Sequence, residues 1–368
     1  MIDRRTFCKQ MGAFGLASIL PDIALGAEAE KQKKNKKDEM IWAYLVHLGY
    51  NMWEDTTPDK YKVFKSSFDA KETAAYARYY HPELTCDLNV WDRVMVYAAK
   101  SGVNMMIVDL GDGVRYDSHP EIAVRNAIST DQLRALVKRI RDLGMEPIPK
   151  LNFSCGHKAW LHEYQYMISS KTYYKVCADL INEAMDIFDS PRFLHLGMDE
   201  ETCSDQGGSD YTVVRRGDLW WKDFYYLVDL VEKRGGRAWI WSDNLWRHKD
   251  EFLSKMPKSV IQSNWNYEDT CIMFDENGKP GDVRAQSFID LEEAGFDQVP
   301  TGSLWLRHIW NNYENFDRLV KNNKRIVDPS RLKGFMQTIW MPTLKPCEST
   351  HYEALDLVKK AREKYYGE

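Results

Sequence analysis

The 368-residue chain sets 50 Lys and Arg against 55 Asp and Glu, and its net charge of −5 gives it no basic field for nucleic acid. Hydrophobic residues at 44% and charged residues at 29% describe a soluble globular chain and exclude a fibrous or largely disordered one. The length exceeds an ordinary domain, yet α/β barrels of this size fold around a single core.

Residues 1–29 read as a leader and not as fold. Asp3-Arg4-Arg5-Thr6-Phe7-Cys8-Lys9 is a twin-arginine pattern, an apolar run covers 11–20, and small residues follow at 24–29. The run is too short to span a bilayer, and no Cys follows it at a lipid-attachment position. A product exported by the twin-arginine route to the periplasm or beyond, with no stable membrane insertion, is the expectation. Residues 30–39 are charged and poor in hydrophobics, which marks a linker.

From 40 to 368 apolar runs alternate with amphipathic helices. The spacing predicts strands at 41–46, 103–108, 145–149, 192–197, 238–241, 259–263, near 298–300, and at 334–339. Between them, Ser129 and Gln132 form a capping box, followed by the apolar face Leu133, Leu136, Val137 and Ile140. A helix at 172–188 turns Val176, Leu180, Ile181 and Ala184 inward; Phe224, Leu227, Val228 and Val231 mark another; 352–365 closes the chain. Eight β/α units in one span predict an α/β fold of the (β/α)8 TIM-barrel class. Six cysteines follow the leader (Cys86, Cys155, Cys177, Cys203, Cys271, Cys347) without C-x-x-C or other metal spacing, so buried thiols are the expectation, with a disulfide left open, and neither metal nor cofactor.

In this fold the active site gathers at the C-terminal ends of the strands. Those ends carry Asp109 and Asp112 after strand two, Asn152 and His157 after strand three, and Asp199, Glu200 and Glu201 after strand four. Ser242 and Asp243 follow strand five, Trp265 strand six and Trp340 strand eight. Carboxylates converging from several strands push each other's pKa values apart, which acid catalysis near neutral pH requires. Alternation along strand four turns His195, Gly197 and Asp199 into the barrel and Leu194, Leu196 and Met198 toward the helices. Glu200 then joins Asp199 only if the chain turns at the strand end.

His195-Leu196-Gly197-Met198-Asp199-Glu200 resembles the H-x-G-G-D-E signature of glycoside hydrolase family 20, the β-N-acetylhexosaminidases. The segment 148–157 resembles that family's I-P-E-x-D-x-P-G-H stretch, and 104–115 its N-x-x-x-x-H-x-x-D-D stretch, with Asp112 at the first Asp. Trp241, Trp265 and Trp340 match tryptophans that wall the family's sugar pocket; indole faces suit sugar rings. The resemblance implies a glycan or glycoside substrate and a substrate-assisted retaining mechanism. In it Glu200 is the general acid/base, Asp199 supports the acetamido group and the oxazolinium charge, and His157 with Asp112 forms a relay to Glu200. Asp109, Asn152, His195 and Asp243 join the tryptophans as candidate substrate-binding residues.

The sequence departs from the pattern at several places. Met198 replaces the second glycine, Lys150 and Asn152 replace the Glu and Asp, Cys155 the proline before G-H, and Asp109 the strand-two His. His47-Leu48-Gly49-Tyr50-Asn51-Met52-Trp53 stands where the family has a sugar-gripping arginine, and Met341-Pro342 where it has a carboxylate. These losses keep two further readings open: a catalytically silent glycan-binding barrel, and a glycosidase of different sugar preference. A variant of the latter uses a carboxylate nucleophile such as Asp243, which has to lie roughly 5 Å from the acid.

Overall fold

The computed structural model describes residues 39–267, 275, 277, 279–305 and 312–367; the residues read as a leader, nearly all of those read as a linker, and Cys271 lie outside them. Eight parallel strands form one sheet: β1 Ile41–His47, β2 Met105–Asp109, β3 Glu146–Lys150, β4 Phe193–His195, β5 Arg237–Trp241, β6 Ile261–Ser263, β7 Thr301–Ser303 and β8 Gly334–Thr338. Hydrogen-bonded neighbours run β6-β5-β4-β3-β2-β1-β8-β7. Parallel bridges Gln262–Gln298 and Trp265–Thr301, with the bonds Val299 N–H to Gln262 O and Thr301 N–H to Asn264 O, close β6 onto β7. The result is the (β/α)8 barrel that the alternation predicts.

Each predicted strand is present, with shifted ends. The seventh moves most, because Pro300 lacks the N–H that a ladder needs, so regular pairing starts only at Thr301. Alternation sorts the core into two layers. Ile41, Ala43 and Leu45 of β1 join Met105, Ile107, Ile148, Phe193, Trp239, Ile261 and Met336 in the barrel lumen. Trp42 and Tyr44 face outward, where the Tyr44 hydroxyl lies 2.7 Å from His351 Nδ1.

The helices stand outside the strands. The Ser129 capping box forms in both directions at the start of α3, Thr130–Asp142. The helices marked by 172–188, by Phe224 and its neighbours, and by 352–365 are α4 Lys171–Ile187, α5 Asp218–Lys233 and α9 Glu348–Tyr366. Others were not read from the sequence: α2 Leu88–Lys100, α6 Lys249–Lys255, α7 Val283–Glu293 and α8 Asn315–Ile326. A longer excursion leaves β1 and carries α1, Ala70–Arg78, capped by Asp69 and Glu72. It folds back over the C-terminal end of the barrel, where Lys71, Ala74, Ala75 and Arg78 form one side of a cavity. Cys86, Cys155, Cys177, Cys203 and Cys347 are free thiols.

Candidate active site

Strand register builds the floor of the site. His47, Asp109, Lys150 and His195 are successive Cα partners across β1, β2, β3 and β4, so one polar layer crosses half the barrel. Asp109 Oδ2 accepts from the fully buried Lys150 ammonium at 2.5 Å and lies 3.2 Å from His47 Nδ1. This pairing holds the Asp109 carboxyl below its usual range despite burial. Asp109 and His195, expected to touch substrate, are instead enclosed beneath the cavity; burial, then the Lys150 charge, push His195 well below the usual imidazole range.

Above this layer the chain turns sharply. β4 ends at His195, and Gly197, Met198 and Glu200 all take positive φ, at 74°, 72° and 51°. That left-handed run supplies the turn the sequence reading needed, and it presents Asp199 and Glu200 side by side. Close packing fixes the turn: a Cβ on Gly197 would sit 1.9 Å from Asn152 Oδ1, and one on Gly156 2.2 Å from Glu200 O. Only glycine fits at either place.

The two carboxylates have different surroundings. Asp199 is 5% exposed; its Oδ1 accepts from Asn152 Nδ2 at 3.1 Å and lies 3.3 Å from His157 Nδ1. Burial works against its charge, but the His157 imidazolium, Lys150 and Asn152 prevail and bring the carboxyl down to about 2. The Glu200 side chain is 36% exposed, with Oε2 at 3.2 Å from His157 Nε2. His157 therefore bridges the pair, and although burial opposes its charge, the two carboxylates raise it to about 10. The ring spans Asp199 and Glu200 and not, as the resemblance implied, Glu200 and Asp112. Asp112 accepts from Asn51 Nδ2 at 2.8 Å and lies 3.3 Å from His162 Nε2, tying the β1 excursion to the loop after β3.

Asp199, Glu200 and His157 open into a cavity of about 490 Å³, walled by Tyr50, Trp53, Trp265, Tyr267, Trp305 and Trp340. Trp265 and Trp340 line the cavity. Trp241 does not: it is 1% exposed and packs under Trp340, ring centroids 5.6 Å apart. The hydroxyl of Tyr50 donates to the Trp340 carbonyl at 2.6 Å, locking two walls together. Sequence reasoning passed over Tyr50 and Trp53 although it noted their segment, and over Tyr267, two residues beyond Trp265. Trp305 follows the strand whose signal was weakest.

Asp243 lies outside this cavity. It is 5% exposed, its Oδ2 accepts the Glu200 N–H at 2.9 Å, and it borders a separate hollow with Glu201 and Arg215. Burial, then the Asp199 charge, push its carboxyl up to about 8. A folded-state pKa raised above the unfolded value favours the fold fully below about pH 4, and that contribution is lost progressively until the pH has passed about 8. We expect this contribution to wild-type Tm to be lost between about pH 4 and pH 8. Asp243→Asn, which retains an acceptor for the Glu200 N–H, should flatten that loss by a few degrees. Parallel Tm–pH curves for the two proteins would refute a titrating Asp243.

Neither a protein-family model nor a curated relative matches the sequence. Solved structures do match its fold. The Flavobacterium johnsoniae chitobiase superposes with a TM-score of 0.54 at 17% identity, over 74% of this chain and 46% of that one. The β-N-acetylhexosaminidase from Bacteroides fragilis gives 0.56 at 12% identity, over 88% and 65%. Dispersin B gives 0.52 at 16% identity, over 77% and 95%. The class is thus a (β/α)8 barrel of the form seen in glycoside hydrolase family 20 catalytic modules. The chain spans about half to two-thirds the length of the first two structures.

Proposed function

We propose that the protein is a retaining, exo-acting glycoside hydrolase of the β-N-acetylhexosaminidase type. The observation that carries this reading is the pair Asp199–Glu200: adjacent, held apart in environment, and set at the bottom of one aromatic-walled cavity. A sugar ring stacked against Trp340 or Trp265 brings its anomeric carbon to the pair. Its own 2-acetamido oxygen then attacks that carbon. Asp199, ionised over the working pH range, accepts the acetamido N–H and supports the positive charge that develops. Glu200 protonates the leaving oxygen and afterwards draws a proton from water. His157 hands protons to Glu200 through Nε2 and steadies Asp199 through Nδ1.

The carboxylate-nucleophile alternative is less well supported. Asp243 sits behind the Glu200 backbone, outside the cavity, with burial favouring its neutral form. The reading includes export by the twin-arginine route, carried by Arg4-Arg5 and the apolar run after them.

The test is a panel of 4-nitrophenyl β-glycosides with and without a 2-acetamido group, plus a thiazoline that mimics the cyclised intermediate. We expect turnover of acetamido sugars, and thiazoline inhibition at least ~10²-fold tighter than substrate binding. Turnover confined to sugars without the acetamido group removes substrate assistance. Sugar binding with no turnover anywhere leaves a glycan-binding barrel.

A further inference from the structure

Among the described residues, Tyr166 and Tyr211 are the one ring pair in which both members are exposed, at 49% and 42%. Their centroids lie 5.6 Å apart with planes at 70°, so each ring steadies the other and leaves apolar surface to solvent. Tyr166 comes from the helical turns Ala159–Met167 after β3, and Tyr211 from the loop after β4 that also carries Asp199 and Glu200. Both loops stand on the catalytic face of the barrel.

The pair is physically continuous with the cavity wall. Ser209 Oγ donates to the Trp53 carbonyl at 3.3 Å, and the Asp210 N–H reaches both Asp55 carboxylate oxygens at 3.2 Å. Trp53 is itself a wall of the cavity. Asp210 directly precedes Tyr211 in the chain and its N–H holds Asp55, so both carboxylates belong to the backbone segments that meet beside the Tyr211 ring. Flat apolar rings beside carboxylate acceptors offer both things a pyranose presents: a C–H face and an edge of hydroxyl donors.

We propose that Tyr166 and Tyr211, with Asp55 and Asp210, form an outer subsite for sugar units beyond the scissile bond, so that the natural substrate is an oligosaccharide chain and not a single-sugar glycoside. This rests on the glycosidase reading above. The sugar to be released fills the cavity, and the rest of the chain leaves over Trp53 onto the tyrosine pair.

The experiment compares wild type with Tyr166→Ala/Tyr211→Ala and Tyr166→Phe/Tyr211→Phe. Two substrates are used: 4-nitrophenyl N-acetyl-β-glucosaminide and the β-1,4-linked tetramer of N-acetylglucosamine. We expect the alanine pair to leave kcat/KM on the nitrophenyl glycoside within twofold and to lower it about tenfold on the tetramer, mostly through KM. The phenylalanine pair should restore most of the loss, since the ring face and not the hydroxyl makes the contact. Equal losses on both substrates would assign the tyrosines to structure alone, and no loss on the tetramer would overturn the subsite. If wild type cleaves neither substrate, the hydrolase reading fails by itself. Calorimetric binding of the tetramer then decides the subsite: a tenfold weaker Kd in the alanine pair upholds it, and an unchanged Kd or no wild-type binding ends it.

Discussion

Replacing Glu200 by Gln should leave a folded protein that has lost turnover by ~10²–10⁴, the usual worth of general acid catalysis. The fold should survive because the side chain is over a third exposed and an amide oxygen can still accept from His157 Nε2. The loss should be smallest with 4-nitrophenolate as leaving group, which needs little protonation, and largest with an alkyl or sugar alcohol. Asp199→Asn should also slow the reaction, for a different reason: it removes the negative charge facing the developing cation. Its loss should therefore be similar for good and poor leaving groups. Circular dichroism confirms the fold, and a leaving-group series gives the pattern. Full activity of a folded Glu200→Gln protein would take Glu200 out of the chemistry.

Removing Arg215 should cost the fold much of its stability. The residue is 3% exposed, and its guanidinium donates to Glu201 Oε1 at 2.7 Å, Asp223 Oδ2 at 3.1 Å and the Phe153 carbonyl at 2.8 Å. Asp223 also receives the Ser169 hydroxyl at 2.6 Å and the Tyr174 hydroxyl at 2.5 Å. Arg215→Met fills similar volume but leaves two buried carboxylates facing each other without a cation. Breaking a buried pair in this way costs about 3–5 kcal/mol. In a chain of this length that lowers Tm by on the order of 10 °C. Neutralising the partners as well, with Glu201→Gln and Asp223→Asn, should recover part of the loss. A single Arg215→Met whose Tm stays within about 2 °C of wild type, on the same scale, would show that the network is not structural.

Much of the barrel could be read because its signals are local. Apolar runs such as 103–108 and 334–339 need only their own sequence to declare a buried strand. The turn after β4 enters the sequence reading only as a condition: His195 and Asp199 share a face, and Glu200 reaches Asp199 only where the chain turns. What could not be read depends on partners distant in sequence. Asp109 looked like a free carboxylate at a strand end, and only strand register reveals that Lys150 and His47 neutralise it. Trp241 looked like a pocket wall, yet the lumen behind Trp340 takes it as packing. His157 and Asp112 looked like a relay, but the β1 excursion brings Asn51 to Asp112, and the loop after β3 brings His162. The excursion itself lacks the barrel's alternation, so the helix that narrows the cavity went unseen.

The left-handed run at Met198 and Glu200 also has an evolutionary reading. Non-glycine residues in that region each cost about 1 kcal/mol, and Gly or Asn relieves most of it. A population selected only for heat tolerance should therefore drift toward Gly or Asn at position 200, gaining robustness while discarding the carboxylate. A lineage that keeps Glu there, against that pull, carries the signature of selection on what the side chain does and not on how well the chain folds.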